Sequence, residues 1–177
     1  MNKKILAFGA SNSSTSINRQ LAKYASSLFK NADVELLDLN DYEMPIYSMD
    51  RETNDGFPQL AHTFYNKIGA ADFILISFAE HNGAYATAFK NIFDWMSRIN
   101  GKTFQEKPML LLATSPGARG GSSVLEIASD RFPRQAGIVK GSFSLPSFNA
   151  NFDTEKGIIS NQELDVKLKK IINSIEL

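Results

Sequence analysis

Apolar residues recur along this chain in two alternating rhythms. Short, nearly unbroken apolar runs occur at Lys4–Phe8 (KILAF), Val34–Leu39 (VELLDL), Asp72–Phe78 (DFILISF), Pro108–Thr114 (PMLLLAT) and, more weakly, Ile138–Phe143. Runs of this length predict strands, and the continuous DFILISF predicts one covered on both faces. Between them the spacing turns helical: Ile17, Leu21, Tyr24, Ala25 and Leu28; Leu60, Phe64 and Ile68; Phe89, Ile92, Phe93 and Met96; then Ser122–Arg131. Leu164, Leu168, Ile171, Ile172 and Ile175 close the chain as an amphipathic helix.

Strands alternating with helices, with no hairpin turn read between them, imply a parallel sheet covered by helices on both faces. Five such pairs predict an α/β fold: a flavodoxin-like, doubly wound, five-stranded parallel sheet of order 2-1-3-4-5. One domain over residues 1–177 is expected, since no linker, repeat or low-complexity tract divides the chain. Asn40–Phe57 reads as one long irregular stretch, longer than ordinary connections, and so as a functional loop, a subunit contact or a tolerated surface excursion.

Composition narrows the chemistry. Of 177 residues 43% are hydrophobic, enough for a sizeable core. Basic and acidic side chains balance at 19 each, which gives no electrostatic footprint for nucleic acid or an anionic membrane. Cysteine is absent, which excludes disulfides, thiolate metal sites and cysteine nucleophiles; any redox chemistry must reside in a bound cofactor. The amino terminus has too few apolar residues before Gly9 for a signal peptide or a span, so a cytoplasmic protein is expected. Asn12-Ser13-Ser14 then matches a glycosylation sequon only by coincidence.

In an open parallel sheet, ligands bind beyond the carboxyl ends of the strands near the switch in strand order. Three loops should meet there. The first, Gly9–Asn18, places Ser11, Ser13 and Ser16 hydroxyls and the Asn18 amide ahead of a helix start, whose unpaired N–H groups and partial positive charge suit a phosphate. A plain helix cap by Thr15 or Ser16 needs only one hydroxyl. Neither a Walker pattern nor GxGxxG is present, so a mononucleotide phosphate is the natural ligand. The second loop, Ala79-Glu80-His81-Asn82-Gly83-Ala84, and the third, Ser115-Pro116-Gly117-Ala118-Arg119-Gly120-Gly121, let backbone approach a flat ring. Glu80 stands either near that ring or as a cap on the next helix; His81 is either a ring contact or an idle loop histidine. Arg119 is either a contact for nicotinamide phosphates or a solvated surface charge.

These loops carry a family resemblance. "GASNSSTSIN" resembles the flavin-phosphate loop, GSxRxxSxN, of the NADPH-dependent FMN reductase family; "AEHNGAYATAFKNIFDWMSR" is similar to its PEYNxSxPxxLKNxIDWxS element, and "KPMLLLATSPGARGG" to its KPxxxxxxSPGxxGG element. The family comprises flavodoxin-like reductases of FMN, quinones, azo compounds and chromate that bind FMN and form dimers or tetramers. The resemblance implies that Ser11, Ser16 and Asn18 hold the FMN phosphate and that Glu80, His81, Asn82 and Gly83 line the isoalloxazine ring. It sets Ser115, Gly117, Gly120 and Gly121 opposite, with Ser13, Ile17, Ala79 and Pro116 completing the cofactor-binding set. Lys90, Asn91, Asp94 and Trp95 look structural or interfacial in the family. The family arginine falls on Ser13, which removes a cationic phosphate contact; Ala79, His81, Ala84 and Ala86 replace its proline, tyrosine, serine and proline.

The implied activity is an FMN-dependent NAD(P)H oxidoreductase. NADPH or NADH delivers hydride to FMN, and a small acceptor (flavin, quinone, azo compound or chromate) takes the electrons. No protein side chain need serve as acid or nucleophile. A flavodoxin-type electron carrier is the alternative, though such carriers are strongly acidic and this chain is neutral. A receiver domain lacks its acidic residues here, and a hydrolase lacks its G-x-S-x-G elbow. Phe89, Phe93, Trp95 and Met96 offer one helix more apolar area than one face needs, so a homodimer or homotetramer contact is expected there, alongside the plain alternative of sheet cover.

Overall fold

The computed structural model describes residues 2–177. In chain order it contains β1 (Lys3–Ala10), α1 (Ile17–Ser27), β2 (Ala32–Leu37), a 3-10 turn (Leu39–Tyr42), α2 (Met49–Asp55), α3 (Gln59–Ala70) and β3 (Phe73–Phe78). There follow β4 (Glu80–His81), β5 (Ala84–Tyr85), α4 (Thr87–Ile99), β6 (Pro108–Thr114), α5 (Ser122–Arg131), a 3-10 turn (Phe132–Gln135) and β7 (Ile138–Leu145). The chain closes with α6 (Phe148–Asn151), β8 (Phe152–Asp153), β9 (Ile158–Ile159) and α7 (Gln162–Asn173).

The principal sheet is parallel throughout, in the order β2-β1-β3-β6-β7. Counting only its five long strands, this is the expected 2-1-3-4-5 arrangement. Strand alternation sends Leu6, Phe8 and Ala10 of β1 into one core with α3, α4 and α5, and Ile5 and Ala7 into the other with α1 and α7. Because both faces of β3 are covered, all six of its residues are buried, and polar residues have no place in it except Ser77.

Two expectations are corrected. The chain does contain hairpins: β4 pairs antiparallel with β5 through Asn82-Gly83, and β8 with β9. Asn82 and Gly83 both lie at positive φ, 51° and 75°, the backbone of a two-residue turn that asparagine and glycine accept most readily. The Asn40–Phe57 stretch is not irregular, since it holds most of the first 3-10 turn and all of α2. Helix α2 buries no residue, which is why apolar periodicity did not mark it.

On α4, Phe89, Phe93, Trp95 and Met96 are buried within this chain. Tyr47 and Phe57, from the stretch before α3, place their rings edge-on to Trp95 at 5.0 and 6.2 Å. The apolar excess of α4 is therefore covered by the chain's own preceding segment, in keeping with the plain alternative of cover within the chain.

Candidate functional site

Strands β1, β3 and β6 end side by side, and the three loops that follow them meet as the topology requires. A cleft of about 280 Å³ is lined by Ser11, Ser13, Thr15, Ser16, Ile17 and Asn18 from the first loop, Ala79, Glu80 and His81 from the second, and Thr114, Ser115 and Pro116 from the third. Ten of the expected site residues are thus brought to one cavity. Asn82 and Gly83 instead form the outer hairpin turn, and Gly117 is exposed beyond the cleft. Gly120 and Gly121 are buried behind it: a Cβ on Gly120 would lie 2.4 Å from Ser144 Oγ and 2.8 Å from Pro146 N, so this glycine serves the packing of the loop on β7 and its exit. Thr15 and Thr114 line the cleft but were not among the residues expected there.

The donor set fits an anion. Ser16 caps α1, its Oγ accepting from Arg19 N at 3.1 Å, while its hydroxyl proton stays available. Ser11 Oγ accepts from Ser13 N, and the Ser13 and Thr15 hydroxyls lie 3.4 Å apart. Among the described residues no acceptor takes the N–H groups of Thr15, Ile17 or Asn18. No acidic residue occupies the first turn of α1, so hydroxyls, amides and the helix dipole face the cleft together. No lysine or arginine lines it. Arg19 turns toward Asp38, with Nε 3.9 Å from Oδ2, and Arg119 donates to Ser123 Oγ on the surface. The backbone N–H of Asn40, with the Asn40 amide and Arg19 assisting, holds the Asp38 carboxyl below the usual carboxylate range.

Two side chains take different parts from those expected. Asn18 is almost wholly buried, and its amide is spent inside the protein: Oδ1 accepts from Ser77 Oγ at 2.7 Å and Thr114 N at 3.0 Å, while Nδ2 donates to Thr114 O at 3.1 Å. It ties the ends of β3 and β6 beneath the loop, and its backbone N–H has no acceptor among the described residues. Glu80 Oε2 accepts from Val124 N at 3.0 Å and so caps α5, not the helix that follows it in sequence. His81, exposed at the hairpin, lines the cleft beside it.

His81 also lines a second cleft, again of about 280 Å³, on the β2 side of the first loop. There Asn12 faces Leu39, Tyr42, Glu43, Met44 and Ile46 across from Thr87, Ala88 and Asn91 at the start of α4. Its outer wall is fastened to α4. Asn91 Nδ2 donates to Met44 O and Pro45 O, Asn91 Oδ1 accepts from Tyr47 N, and Trp95 Nε1 donates to Pro45 O at 2.8 Å. One turn further, Arg98 grips Glu52 of α2 through two nitrogens, and Tyr47 OH donates to the same carboxylate. Asn91 and Trp95 thus hold the preceding segment in place within the chain.

Residues 3–150 match the family model described as NADPH-dependent FMN reductase. An uncharacterised protein of Mycoplasma pneumoniae is 31% identical over 93% of this chain and 99% of its own length. An NADPH:quinone oxidoreductase of Arabidopsis thaliana is 27% identical over 98% of this chain and 90% of its own. Among solved structures, the flavoenzyme NAD(P)H:(acceptor) oxidoreductase FerB of Paracoccus denitrificans superposes with a TM-score of 0.77 at 21% identity, covering 97% of this chain and 94% of that one.

Proposed function

The chain belongs to the NADPH-dependent FMN reductase family, and from that premise we propose that it carries two electrons from NAD(P)H through FMN to a quinone-type acceptor. The balance is NAD(P)H plus a proton plus quinone, giving NAD(P)+ and hydroquinone. FMN, when bound, supplies the capacity to accept hydride and release the electrons; the protein's residues bind, orient and shield. The observation that carries the reading is the cleft at the ends of β1, β3 and β6, with unengaged N–H groups at the start of α1 and hydroxyls on its lip.

In this reading Ser11, Ser13, Thr15 and Ser16, with the N–H groups of Ile17 and Asn18, hold the phosphate. The Asn18 side chain is a positioning residue, keeping the loop in register with β3 and β6. Ala79, His81, Ser115 and Pro116 flank the ring. A dimer or tetramer would draw on the apolar surface of Ile46 and Met49, exposed by 66% and 73%, in place of the buried α4 face. A cytoplasmic location is part of the same reading; among the described residues no helix is long and apolar enough to cross a membrane.

The test is spectroscopic. Protein mixed with FMN and freed of excess should be yellow and should bleach on anaerobic addition of NADPH or NADH, the colour returning with a quinone. Protein that takes up no FMN, or a yellow protein that neither nucleotide bleaches, overturns the assignment.

A further inference from the structure

The second cleft shares His81 with the first, and the first loop lines both, with Ser11 and Ser13 in one and Asn12 in the other. Resting on the reductase reading above, we propose that this cleft seats the electron acceptor, and that Glu43 within it makes the enzyme take uncharged ring compounds in preference to anionic ones.

Three features carry the proposal. The first is size and surface: about 280 Å³, at the small end of ligand cavities, suits one or two fused rings. Leu39, Tyr42, Met44 and Ile46 give it apolar walls, and Asn12 and Thr87 give a neutral polar rim suited to ring oxygens. The second is preorganisation. Asn91, Trp95 and Arg98, at positions i, i+4 and i+7 of α4, hold the Met44–Glu52 segment by its carbonyls and by Glu52, so the wall is built before a ligand arrives.

The third is charge. Glu43 is the one carboxylate among the described residues of the lining, and no lysine or arginine is among them. Of the cations on neighbouring elements, Arg19 pairs with Asp38 and Lys90 with Asp94, while Arg51 donates to the Ile46 carbonyl. A carboxylate with no ion-pair partner in such a cleft repels an incoming anion while leaving a neutral ring unaffected, which is selection by an unfavourable contact. At contact distance and in largely aqueous surroundings, one such repulsion weakens an anion about fivefold to tenfold.

The probes are 1,4-naphthoquinone and its 2-sulfonate, which share a ring system and differ by one fixed negative charge. Equilibrium dialysis against the FMN-loaded protein reads binding without turnover, and with no cysteine in the chain thiol arylation does not intervene. The unsubstituted quinone should bind about fivefold to tenfold more tightly. Glu43→Gln should bring the two close to equal, and Glu43→Lys should reverse the preference. Ala88→Phe, which fills the cleft from the first turn of α4, should remove binding of both. Equal binding by the unmodified protein, or a preference that Glu43→Lys leaves unmoved because only the sulfonate's bulk is resisted, overturns the charge selection. Undiminished binding in folded, yellow Ala88→Phe overturns the location. Bleaching of the unmodified protein by NAD(P)H is scored separately, so a working reductase with an indifferent Glu43 defeats this inference alone.

Discussion

Asn18 and Thr114, 96 positions apart in the chain, exchange a reciprocal pair of hydrogen bonds: Asn18 Nδ2 donates to Thr114 O while Asn18 Oδ1 accepts from Thr114 N. A side-chain amide here acts as one more rung of the sheet, joining the start of α1 to the end of β6 where a neighbouring strand's backbone would otherwise pair. Ser77 of β3 donates to the same Oδ1, so three elements converge on one residue under the Gly9–Asn18 loop.

Asn18→Ala should therefore act on stability as well as on the cofactor. It leaves Thr114 N–H, Thr114 C=O and the Ser77 hydroxyl unpaired in the interior, at a cost of about 3 kcal/mol or more. Asn18→Asp, which keeps the shape but sets a carboxylate against the Thr114 carbonyl, should do no better. Urea midpoints measure both, and variants as stable as the parent would show that the amide is dispensable.

Ser13 stands where the family pattern carries arginine, so the cradle relies on neutral donors. Ser13→Arg adds a charge-assisted contact to a phosphate at the lip, and FMN should bind on the order of tenfold more tightly. The gain should shrink as salt is raised, because the added term is Coulombic. Quenching of FMN fluorescence on titration reads this directly; an unchanged dissociation constant would place the phosphate away from Ser13.

Glu80 ties the second loop to α5 through Val124 N. Removing the carboxylate in Glu80→Ala forfeits a cap and a favourable charge at a helix N-terminus, about 1 kcal/mol, or roughly 2–4 °C in melting temperature for a chain of this size. Glu80→Gln retains an acceptor oxygen and should recover more than half of that loss. Calorimetric scans of the two variants check it.

Tyr24 on α1 donates to Asp165 of α7, whose other oxygen receives Lys169 Nζ at 2.6 Å. Burial first, and then the hydrogen bond to Asp165, push the Tyr24 hydroxyl from 10.0 up to about 12. Since the folded state holds this proton more tightly than the unfolded chain, the contribution is complete below pH 10 and is lost as the pH climbs toward 12. Burial raises Tyr85 in the same sense, so the diagnostic is a difference. Tyr24→Phe should be less stable than the parent at neutral pH, and the gap should close between pH 10 and about 12 in denaturant titrations. A gap independent of pH would show that the hydroxyl titrates as it does in the unfolded chain.

Much of the architecture could be read from residue order, because its signals are local. The five apolar runs, the helical spacings between them and the length of each unit leave few parallel topologies, and the order β2-β1-β3-β6-β7 is among them. The three loops at the carboxyl ends of the strands were legible for the same reason: topology alone gathers them. The hairpin through Asn82-Gly83 and the helix Met49–Asp55 were missed because one has strands of two residues and the other buries no side chain, so neither writes a period into the sequence.

What the chain's own pattern determined, then, is where donors and glycines fall relative to strand ends. Tertiary structure alone decided what each polar group does there. Asn18 and Glu80 both looked available for a ligand, but each finds a partner from 44 to 96 residues away. Gly120 looked like a ligand-facing glycine but is pressed against the exit of β7. The apolar face of α4 looked unpartnered until Tyr47 and Phe57 covered it. The physical reason is common to all four: a hydrogen bond or a packing contact is satisfied by whatever lies close in space, and closeness in space between distant residues exists only once the chain has folded.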